Sequence, residues 1–583
     1  MGPEAVFDAI EEAERAHLVT LHSGGRDTHY MFGHELIRQT LADALLMPRR
    51  QRLHGRIALA LETLYASNLS KHVSMLAHHF YQAGTGADVE KTTDYLVRAA
   101  DQARATAGHE EALEYLERAR SLWEGDRSAR TADLLDRRAA ALDSLGRTRE
   151  AIEAGRDAAA LWQPLERYER YAASMDAVCT QLIWSMDFGA VLVEVERSLA
   201  ALQAAPVSLR APLLYQRAAA LANRGDVAEA LAILAEADAV CASLADPYVR
   251  ASGVKSAALV NLCAGQVGRA STCQRQTVEA MTALGRPWDA IDAAYVCVLA
   301  EVHRGRLQEV AALLDDLEPR AERIGHRQAQ WTFRAIRHLL RYLAGDLAGA
   351  ERGARHALEF AAGHPVTWVF ITELRLSEIL FVQGKTEDAL EIARRIAAVE
   401  PPSRYKQHSR GLLFRCLAYV APDAAREYLR TTEIPLPTAG AVNAYGHWFN
   451  LMNVVEGLYV LGGRDAVATL RPLAEMFAAS EVTVMWLGLL PLVAAGIAAA
   501  CAGVWDAAEA HFRDAVAFCD NTPIRIGQGT TREFYADMLL MRNAGDDAAR
   551  AVTLYTEAAE NYAQIGLVLY ASRLAEKRAR LGS

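Results

Sequence analysis

Apolar residues along this chain recur at helical spacing, in segments that a glycine separates. The apolar-rich segment "PLLYQRAAALANRG" ends at Gly225, and the amphipathic segment "DVAEALAILAEADAV" follows it. In the second segment Val227, Ala230, Leu231 and Leu234 share one helix face. The pattern predicts a pair of helices, an apolar-rich A helix followed by an amphipathic B helix.

The separating glycine returns about every 40 residues. It occurs at Gly146, Gly225, Gly265, Gly305, Gly345, Gly384, Gly463, Gly503 and Gly545. Two steps span two periods: Gly189 lies off register within the first, and Pro422 replaces the glycine within the second. The fifth residue after the glycine is small, namely Ala151, Ala230, Ala270, Ala350, Ala389 and Ala508, with Val310 once. Glycine ends a helix in a left-handed cap at no steric cost, and a small residue lets two helices cross closely.

A two-helix unit that repeats at this period predicts an all-α fold. We expect an α-solenoid of tetratricopeptide-like helix pairs over residues 106–583, although the period alone would also allow HEAT-like repeats. One turn, "VQGKT" at residues 382–386, imitates the end of a P-loop. Ile379 stands where that motif needs its first glycine, and the flanks are helical. We therefore predict no nucleotide site, no cofactor and no catalytic residue.

The N-terminal segment has a different pattern. Residues 4–16 are amphipathic, "LVTLH" and "THYMF" alternate around "SGGRD" as in a β-hairpin, and a helix follows from His34. The inward face of the next helix is predicted to hold Leu53, Ile57, Leu61 and Leu64. The order predicts part of a winged helix over residues 1–48, then connecting helices over 49–105. A complete winged helix has two more helices before this point, so we expect some apolar surface to stay exposed.

Three stretches of this region resemble a large bacterial family. They are "YMFGHELIRQTLADALLMPRRQRLHGRIALALE", "LAHHFYQAG" and "KTTDYLVRAADQARATAGHEEALEYLERA". The motif residues are Phe32, His34, Leu36, Ile37, Arg38, Arg49, Arg50, Leu53 and His54. The stretches are similar to the region after the NTPase module of STAND-type ATPases, such as LuxR-type transcription regulators and cyclase-linked predicted ATPases. The match covers about residues 1–125.

The resemblance implies a function in signalling or transcription regulation. In the family this region packs against the ATPase, which implies an interdomain contact through His34, Arg38, Arg49, Arg50 and His54. The chain departs from the family because it has no P-loop, and "YASRLAEKRARLGS" at its end is not a LuxR-type helix-turn-helix. We therefore expect a non-catalytic cytoplasmic sensor or scaffold. Its partners would be a protein, such as an ATPase domain supplied by another chain, and a peptide or small-molecule inducer.

Two alternatives stay open. The chain could be a DNA-binding regulator that acts with a partner, or part of an ATPase or adenylate cyclase-type enzyme whose catalytic domains lie elsewhere. The net charge of −10 and the absence of a basic block argue against direct nucleic-acid binding.

The candidate ligand residues are aromatic and amide side chains near the starts of A helices. The tryptophans are Trp288, Trp331, Trp368, Trp448 and Trp486, which precede their turn glycines by 14 to 17 residues. Beside one of them, Asn443, His447 and Asn450 stand at i, i+4 and i+7. Such groups suit a peptide or a small polar ligand bound on the concave face that A helices line. The alternative is that the tryptophans pack between neighbouring repeats.

Histidine and cysteine patterns predict no metal site. His34-Glu35 begins a zinc-protease motif, but Arg38 stands where the second histidine belongs. His72 and His79, seven residues apart and next to His78, could share a helix face, with packing or surface exposure as the alternative. The eight cysteines form no Cys-x-x-Cys pair, which favours free thiols in a reducing compartment.

One apolar segment is long enough to cross a bilayer. Residues 482–505, "VTVMWLGLLPLVAAGIAAACAGVW", carry no charged side chain. They contain Pro491 and fall in register with the repeat. We therefore predict a buried helix or helix pair, and no membrane contact.

Overall fold

The chain is helical apart from one antiparallel two-stranded sheet in the parts that the structure describes. The structure is a computed structural model, and it describes residues 3–24, 27–242, 246–363, 369–398 and 408–581. The chain divides into two compact units, Met1–Asp126 (unit 1) and Arg127–Ser583 (unit 2). The predicted all-α solenoid with an N-terminal hairpin is confirmed.

Unit 1 begins with a helix and a hairpin. Its elements are α1 (Pro3–Arg15), β1 (Val19–Gly24), β2 (Asp27–Phe32), α2 (Glu35–Asp43), α3 (Met47–Leu64), α4 (Val73–Gln82), α5 (Val89–Ala105) and α6 (His109–Ser121). Val19 lies opposite Phe32 and Gly24 opposite Asp27. The predicted helix, hairpin and helix are confirmed, although residues 25 and 26 of the predicted turn lie outside the described residues.

The predicted inward face of α3 is wrong. Leu53 is 36% exposed, Ile57 40% and Leu64 69%. Helix α3 contacts α4 through its other side, where Ala58 is buried and a Cβ at Gly55 would lie 3.6 Å from the Ala83 Cβ. Small residues on that side let the two helix axes approach closely, so the leucines point away. The expected exposed apolar surface is confirmed here, and Phe7, Leu36, Leu46 and Met47 extend it.

Unit 2 consists of successive helix pairs. Its helices are α7 (Ala129–Ser144), α8 (Thr148–Trp162), α9 (Tyr168–Trp184), α10 (Phe188–Ala201), α11 (Ala211–Arg224), α12 (Val227–Cys241), α13 (Pro247–Cys263), α14 (Val267–Ala283), α15 (Pro287–His303), α16 (Leu307–Arg323), α17 (Arg327–Leu343), α18 (Leu347–Gly363), α19 (Val369–Val382), α20 (Thr386–Ala398), α21 (His408–Val420), α22 (Pro422–Thr431), α23 (Tyr445–Val460), α24 (Arg464–Thr469), α25 (Arg471–Ala478), α26 (Pro491–Cys501), α27 (Trp505–Asn521), α28 (Arg525–Arg542), α29 (Asp547–Ile565) and α30 (Val568–Leu581).

The predicted left-handed turn is confirmed at most positions. Gly146, Gly225, Gly265, Gly305, Gly345, Gly384 and Gly503 have φ between 71° and 92°. The fifth residue after each of these glycines is at most 3% exposed. The glycine therefore reverses the chain, and the small side chain lies in the contact between the two helices of the pair.

Two turns use a different residue from the one predicted. Met186, with φ of 61°, makes the turn between Gly146 and Gly225, and Gly189 instead lies inside α10. Gly462 replaces Gly463, whose φ is −79°. In the turn after α28, Asn543 with φ of 50° caps the helix, and the predicted Gly545 is also left-handed, with φ of 54°. Asparagine tolerates the left-handed region, whereas Met186 accepts strain there because the flanking helices fix its position.

The long uncharged segment is not one continuous helix. The Thr483 amide donates a hydrogen bond to the His303 carbonyl (2.8 Å). Leu487, with φ of 69°, interrupts the helical conformation before α26 begins at Pro491. Most of α26 is buried within unit 2, which confirms the predicted buried helix. None of the described helices is long and apolar enough to cross a membrane.

A helices from distant pairs contact each other in the C-terminal half of unit 2. Helix α17 contacts α28, and α19 contacts α30. Glu533 is buried here, with Arg573 Nη2 2.7 Å and Lys577 Nζ 2.8 Å from its Oε1. Burial raises the pKa of Glu533, but the two cations and the Tyr562 hydroxyl outweigh that effect and lower the pKa to about 2.

We expect the Gly265→Ala variant to lose about 1–2 kcal/mol of unfolding free energy. A Cβ at Gly265 meets no atom within 4 Å, so the loss would report the left-handed backbone alone. Gly189→Ala is the matched control, because Gly189 is helical and the nearest atom to its added Cβ is 3.8 Å away. That control should gain about 0.5–1 kcal/mol. Urea denaturation followed by circular dichroism measures both, and equal effects would refute this account of the turn.

We expect the Glu533→Gln variant to lose about 3 kcal/mol at pH 7, because the half-buried Arg573 loses its carboxylate partner and Lys577 keeps only Asp537. The folded pKa is depressed, so the contribution of Glu533 is present above its ordinary pKa of 4.5 and disappears as pH falls towards about 2. The difference between wild type and variant should shrink over that window in denaturation experiments. Glu557→Gln is the control: Glu557 pairs with Arg532 but is 47% exposed, so its loss should stay below about 1 kcal/mol.

Candidate functional site

The predicted tryptophan series packs against protein in the described residues. Trp331 is 3% exposed, and its Nε1 donates to the Ala357 carbonyl (3.0 Å). Trp448 stacks on Phe477 with ring centroids 4.8 Å apart, and Trp486 meets His303 edge-on at 4.7 Å. Trp288 is half-buried and stacks on His326 at 4.0 Å. Trp368 lies outside the described residues.

The polar residues around Trp448 have structural contacts. Asn443 bonds to the backbone of Thr438 through both its amide atoms, and so fixes the loop before α23. Asn450 accepts from the Gly411 amide (3.2 Å) and donates to the Pro435 carbonyl (3.0 Å). His447 is half-buried on α23. These contacts agree with the packing alternative, and a ligand role for these residues and the tryptophans stays a prediction.

The Gly-Lys-Thr turn has the geometry of the repeat. Gly384 has φ of 82° and joins α19 to α20, in register with the other turns. Lys385 Nζ lies 2.8 Å from Glu351 Oε2, so its charge already has a partner. This turn has the same geometry as the other connections between the two helices of a pair.

The residues predicted for an interdomain contact lie on α2 and α3. His34 caps α2, with its Nδ1 accepting from the Leu36 amide (3.1 Å). Arg38 pairs with Glu35 on the surface, Arg50 pairs with Asp43 at 3.5 Å, and Arg49 is exposed. His54 faces α4, where its Nδ1 lies 2.9 Å from His79 Nδ1. Their interdomain role stays a prediction.

Sequence reasoning missed a group of charged residues on the A helices of the N-terminal half of unit 2. The group, which we call the acidic A-helix face, consists of Asp143, Asp176, Lys255, Asp289 and Asp292. These residues come from α7, α9, α13 and α15, and their charges lie close enough to influence one another. Asp143, Asp176 and Lys255 are half-buried, so solvent or a ligand can reach them.

On the acidic A-helix face, Lys255 lies among four carboxylates. Lys255 forms an ion pair with Asp292, and Asp289 also raises the pKa of Lys255 against the effect of burial. Burial raises the pKa of Asp143 to about 6, and the nearby Asp292 adds to the shift. Burial likewise raises the pKa of Asp176 to about 6. Neither Asp143 nor Asp176 forms an ion pair with a basic side chain of the described residues.

Amide side chains hold the two unpaired carboxylates in place. Gln216 Nε2 donates to Asp176 Oδ1 (2.7 Å) and also to Thr180 Oγ1 (2.9 Å). A hydrogen bond with Gln181 orients Asp143 in the same way. These neutral donors fix the oxygens without supplying positive charge, so the site keeps a negative potential.

Aromatic rings border the acidic A-helix face. Trp184 from α9 meets Tyr295 from α15 with ring centroids 5.9 Å apart, and both are half-buried. At the other edge His326 stacks under Trp288, and burial lowers the pKa of His326 to about 4, so the ring is neutral at pH 7. Among the described residues, His326 Nε2 is buried without a hydrogen-bond partner.

A sequence signal for this site existed but was weak. Lys255 is an isolated charge in the otherwise uncharged stretch "ASGVKSAALVNLC", and Asp292 interrupts the apolar run of α15. A lone charge on an apolar-rich A helix calls for a partner, because an unpaired buried charge is costly. Lys255 and its ion-pair partner Asp292 are 37 residues apart, a separation that no local pattern reveals.

Comparisons with known proteins show likeness at the level of structure only. No family model matches the chain, and no curated protein matches it in sequence. Among solved structures, a Rap protein complexed with Competence and Sporulation Factor is 12% identical with a TM-score of 0.31, and the match covers 68% of this chain and 92% of that one. Cut9 in the APC/C hetero-tetramer Cut9-Hcn1 is 12% identical at a TM-score of 0.35, covering 83% and 96%. Yeast Tom70 is 12% identical at 0.28, covering 84% and 97%. These scores support no conclusion about function.

We expect the Asp176→Asn variant to be more stable than wild type at pH 7, by about 1–2 kcal/mol after allowance for its partial exposure. The folded pKa of about 6 exceeds the ordinary 3.8, so wild type loses stability as pH rises through that window. The asparagine oxygen can still accept from Gln216. Asp157→Asn, at an exposed position on α8, is the control and should change little. Thermal unfolding between pH 4 and pH 7 measures both, and a destabilised Asp176→Asn would contradict the assigned cost of this charge.

Proposed function

We propose that unit 2 is a non-catalytic binding module for a peptide or a protein segment that carries a positively charged group. The acidic A-helix face would be its binding site. One observation carries the proposal: Asp143 and Asp176 are fixed in place and partly desolvated, yet Lys255 lies nearby without forming an ion pair with either, and no other basic side chain of the described residues does so. A basic side chain or an N-terminal amine of a ligand would supply the missing counter-charge.

The energetics of such binding follow from the raised pKa values. A cation within about 4–6 Å of a half-buried carboxylate favours its charged form and reverses the effect of burial. Binding of the ligand would therefore offset the desolvation free energy that destabilises the free protein at Asp143 and Asp176. The half-buried rings of Trp184 and Tyr295 add an apolar and cation-attracting surface beside these charges.

The C-terminal half of unit 2 supports the assignment by contrast. Its A-helix carboxylates have basic partners within the chain, as in the buried pair of Arg415 with Glu378. The cavity beside that pair measures about 50 Å³, which admits a few water molecules and no peptide. The N-terminal half thus offers a polar A-helix surface with uncompensated charge.

The resemblance of residues 1–125 supports a finer proposal about context. We propose that the chain is the sensor or scaffold of a STAND-type signalling or transcription-regulatory system, with an ATPase domain supplied by another chain. His34, Arg38, Arg49, Arg50 and His54 would contribute to the contact with that domain. An inducer would act through a difference in affinity between two conformations of the assembly.

Two other functions have direct tests. Tight, sequence-specific binding in a DNA fluorescence-anisotropy titration would favour a DNA-binding regulator. ATP turnover by the purified chain, lost on Lys385→Ala, would favour an ATPase. The ion pair of Lys385 with Glu351 at a repeat turn gives the second alternative no support.

We expect a random short-peptide library selected on the chain to enrich peptides with lysine, arginine or a free basic N-terminus. Affinity, measured by fluorescence anisotropy, should fall at least about tenfold in the Asp143→Asn/Asp176→Asn double variant, because each lost ion pair is partly desolvated. It should also weaken as salt is raised. Since Asp176→Asn is expected to stabilise the fold, lost binding would not reflect unfolding.

The matched control is the Asp157→Asn/Glu236→Gln double variant, which removes the same charge from exposed positions on the B helices α8 and α12. It should bind like wild type. If both double variants lost the same affinity, the effect would come from net charge alone, and the proposed binding site would be refuted. Enrichment of peptides without a basic group would refute the proposed ligand class.

A further inference from the structure

Three histidines meet between α3 and α4 of unit 1. His54 comes from α3, and His78 and His79 are consecutive on α4. One ring nitrogen from each lies within 4.8 Å of the others. The sequence pattern predicts no metal site and relates only His72 to His79, but His72 stacks on Tyr65 at a ring-centroid distance of 3.6 Å and takes no part in the group. His54, 25 residues away from His79, was the missing member.

The rings are arranged around a common point. The Nδ1 atoms of His54 and His79 are 2.9 Å apart, and the His54 and His78 ring planes meet at 69° with centroids 5.8 Å apart. The His78 and His79 planes meet at 80°, with centroids 5.2 Å apart. A tetrahedral ion with metal–nitrogen bonds of about 2.0–2.1 Å holds its ligand nitrogens about 3.4 Å apart. The separation of His54 Nδ1 and His79 Nδ1 is close to that spacing, and one ring nitrogen from each of the three histidines lies within 4.8 Å of the others.

We propose that His54, His78 and His79 bind a divalent transition-metal ion of the zinc class. Imidazole nitrogen suits zinc, copper, nickel and cobalt, and three protein ligands leave a fourth position for water or for a donor from a partner. His78 is exposed, so an ion can reach the group from solvent.

The local charges permit this binding. Three arginines, Arg38, Arg50 and Arg118, lie near the histidines and would repel a cation. Each is paired with a carboxylate: Arg38 with Glu35, Arg50 with Asp43, and Arg118 with Glu114. These carboxylates offset part of the repulsion that the arginines would exert on a bound cation.

The histidines are also in the form that a metal needs. Burial lowers the pKa of His79 to about 4, and the charges of its two neighbours add to the shift. Burial lowers the pKa of His54 and His78 as well. Lowered pKa values favour the neutral imidazole, whose lone pair can bind a metal.

In the apo protein the short contact between His54 and His79 requires one ring to donate a hydrogen bond to the other. A metal ion would bind both Nδ1 atoms once the donor ring has changed to its Nε2–H tautomer, with solvent carrying the proton from Nδ1 to Nε2. The ion would also tie α3 to α4 at the point where few large side chains join them, since Ala58 is the buried residue of α3. Metal binding should therefore raise the stability of unit 1 by mass action.

The test is a zinc titration of the full chain without an affinity tag, in competition with a chromogenic chelator. We expect one equivalent of Zn²⁺ to bind, and Co²⁺ to give the visible absorption of a four-coordinate site. His54→Ala and His78→Ala should each lower the zinc affinity by at least about tenfold. His78 is exposed, so His78→Ala leaves the packing of α4 intact, and circular dichroism verifies the fold of each variant.

His72→Gln is the matched control, because His72 lies next to α4 but outside the group, and it should bind zinc like wild type. Absence of stoichiometric binding by wild type at micromolar metal would overturn the proposal. Equal affinity in wild type, His54→Ala and His78→Ala would overturn it too, since the metal would then be held elsewhere. Loss in both variants with retention in His72→Gln would establish it.

Discussion

The close crossing of the two helices in each pair is the constraint on which unit 2 depends. A left-handed residue reverses the chain within one or two residues, and a buried small side chain such as Ala270 or Ala350 lies where the helices touch. Because the same turn returns in register, A helices follow one another on one side of the array. Their side chains then face those of A helices several pairs away, as Trp184 faces Tyr295. A charge on a part of an A helix that another A helix covers is consequently desolvated and needs a partner.

The two halves of unit 2 meet that need in different ways. In the C-terminal half Arg415 pairs with Glu378, and Arg573 and Lys577 share Glu533, so charge is balanced inside the fold. In the N-terminal half Lys255 lies between Asp289 and Asp292, and amide side chains form hydrogen bonds with Asp143 and Asp176. Residues that cost stability in the free protein are common where a protein binds something else. The acidic A-helix face has that property, which is why we assign binding to it.

Unit 1 contains a group of three histidines that the packing of its helices does not require. Packing of α3 on α4 through small residues leaves the leucines of α3 exposed and brings His54 against His79. A hydrophobic contact between α3 and α4 would stabilise unit 1 as well as the three histidines do, and it would bury no polar groups. The apolar surface of α1 to α3 and the histidine group are thus separate features, although both lie on α3.

The sequence determined the fold class, because the turn requires glycine and the crossing requires a small residue, and both are visible as a period. It also determined helix, hairpin and helix at the N-terminus through the change from helical to alternating pattern. It misplaced the turns at Met186 and Gly462, and at Met186 the neighbouring helices rather than residue preference select the conformation. Only the tertiary structure brought Asp143 near Asp292 and His54 onto His79. Such groups come from different helices, and their approach depends on how the helices pack, which periodicity along one helix does not encode.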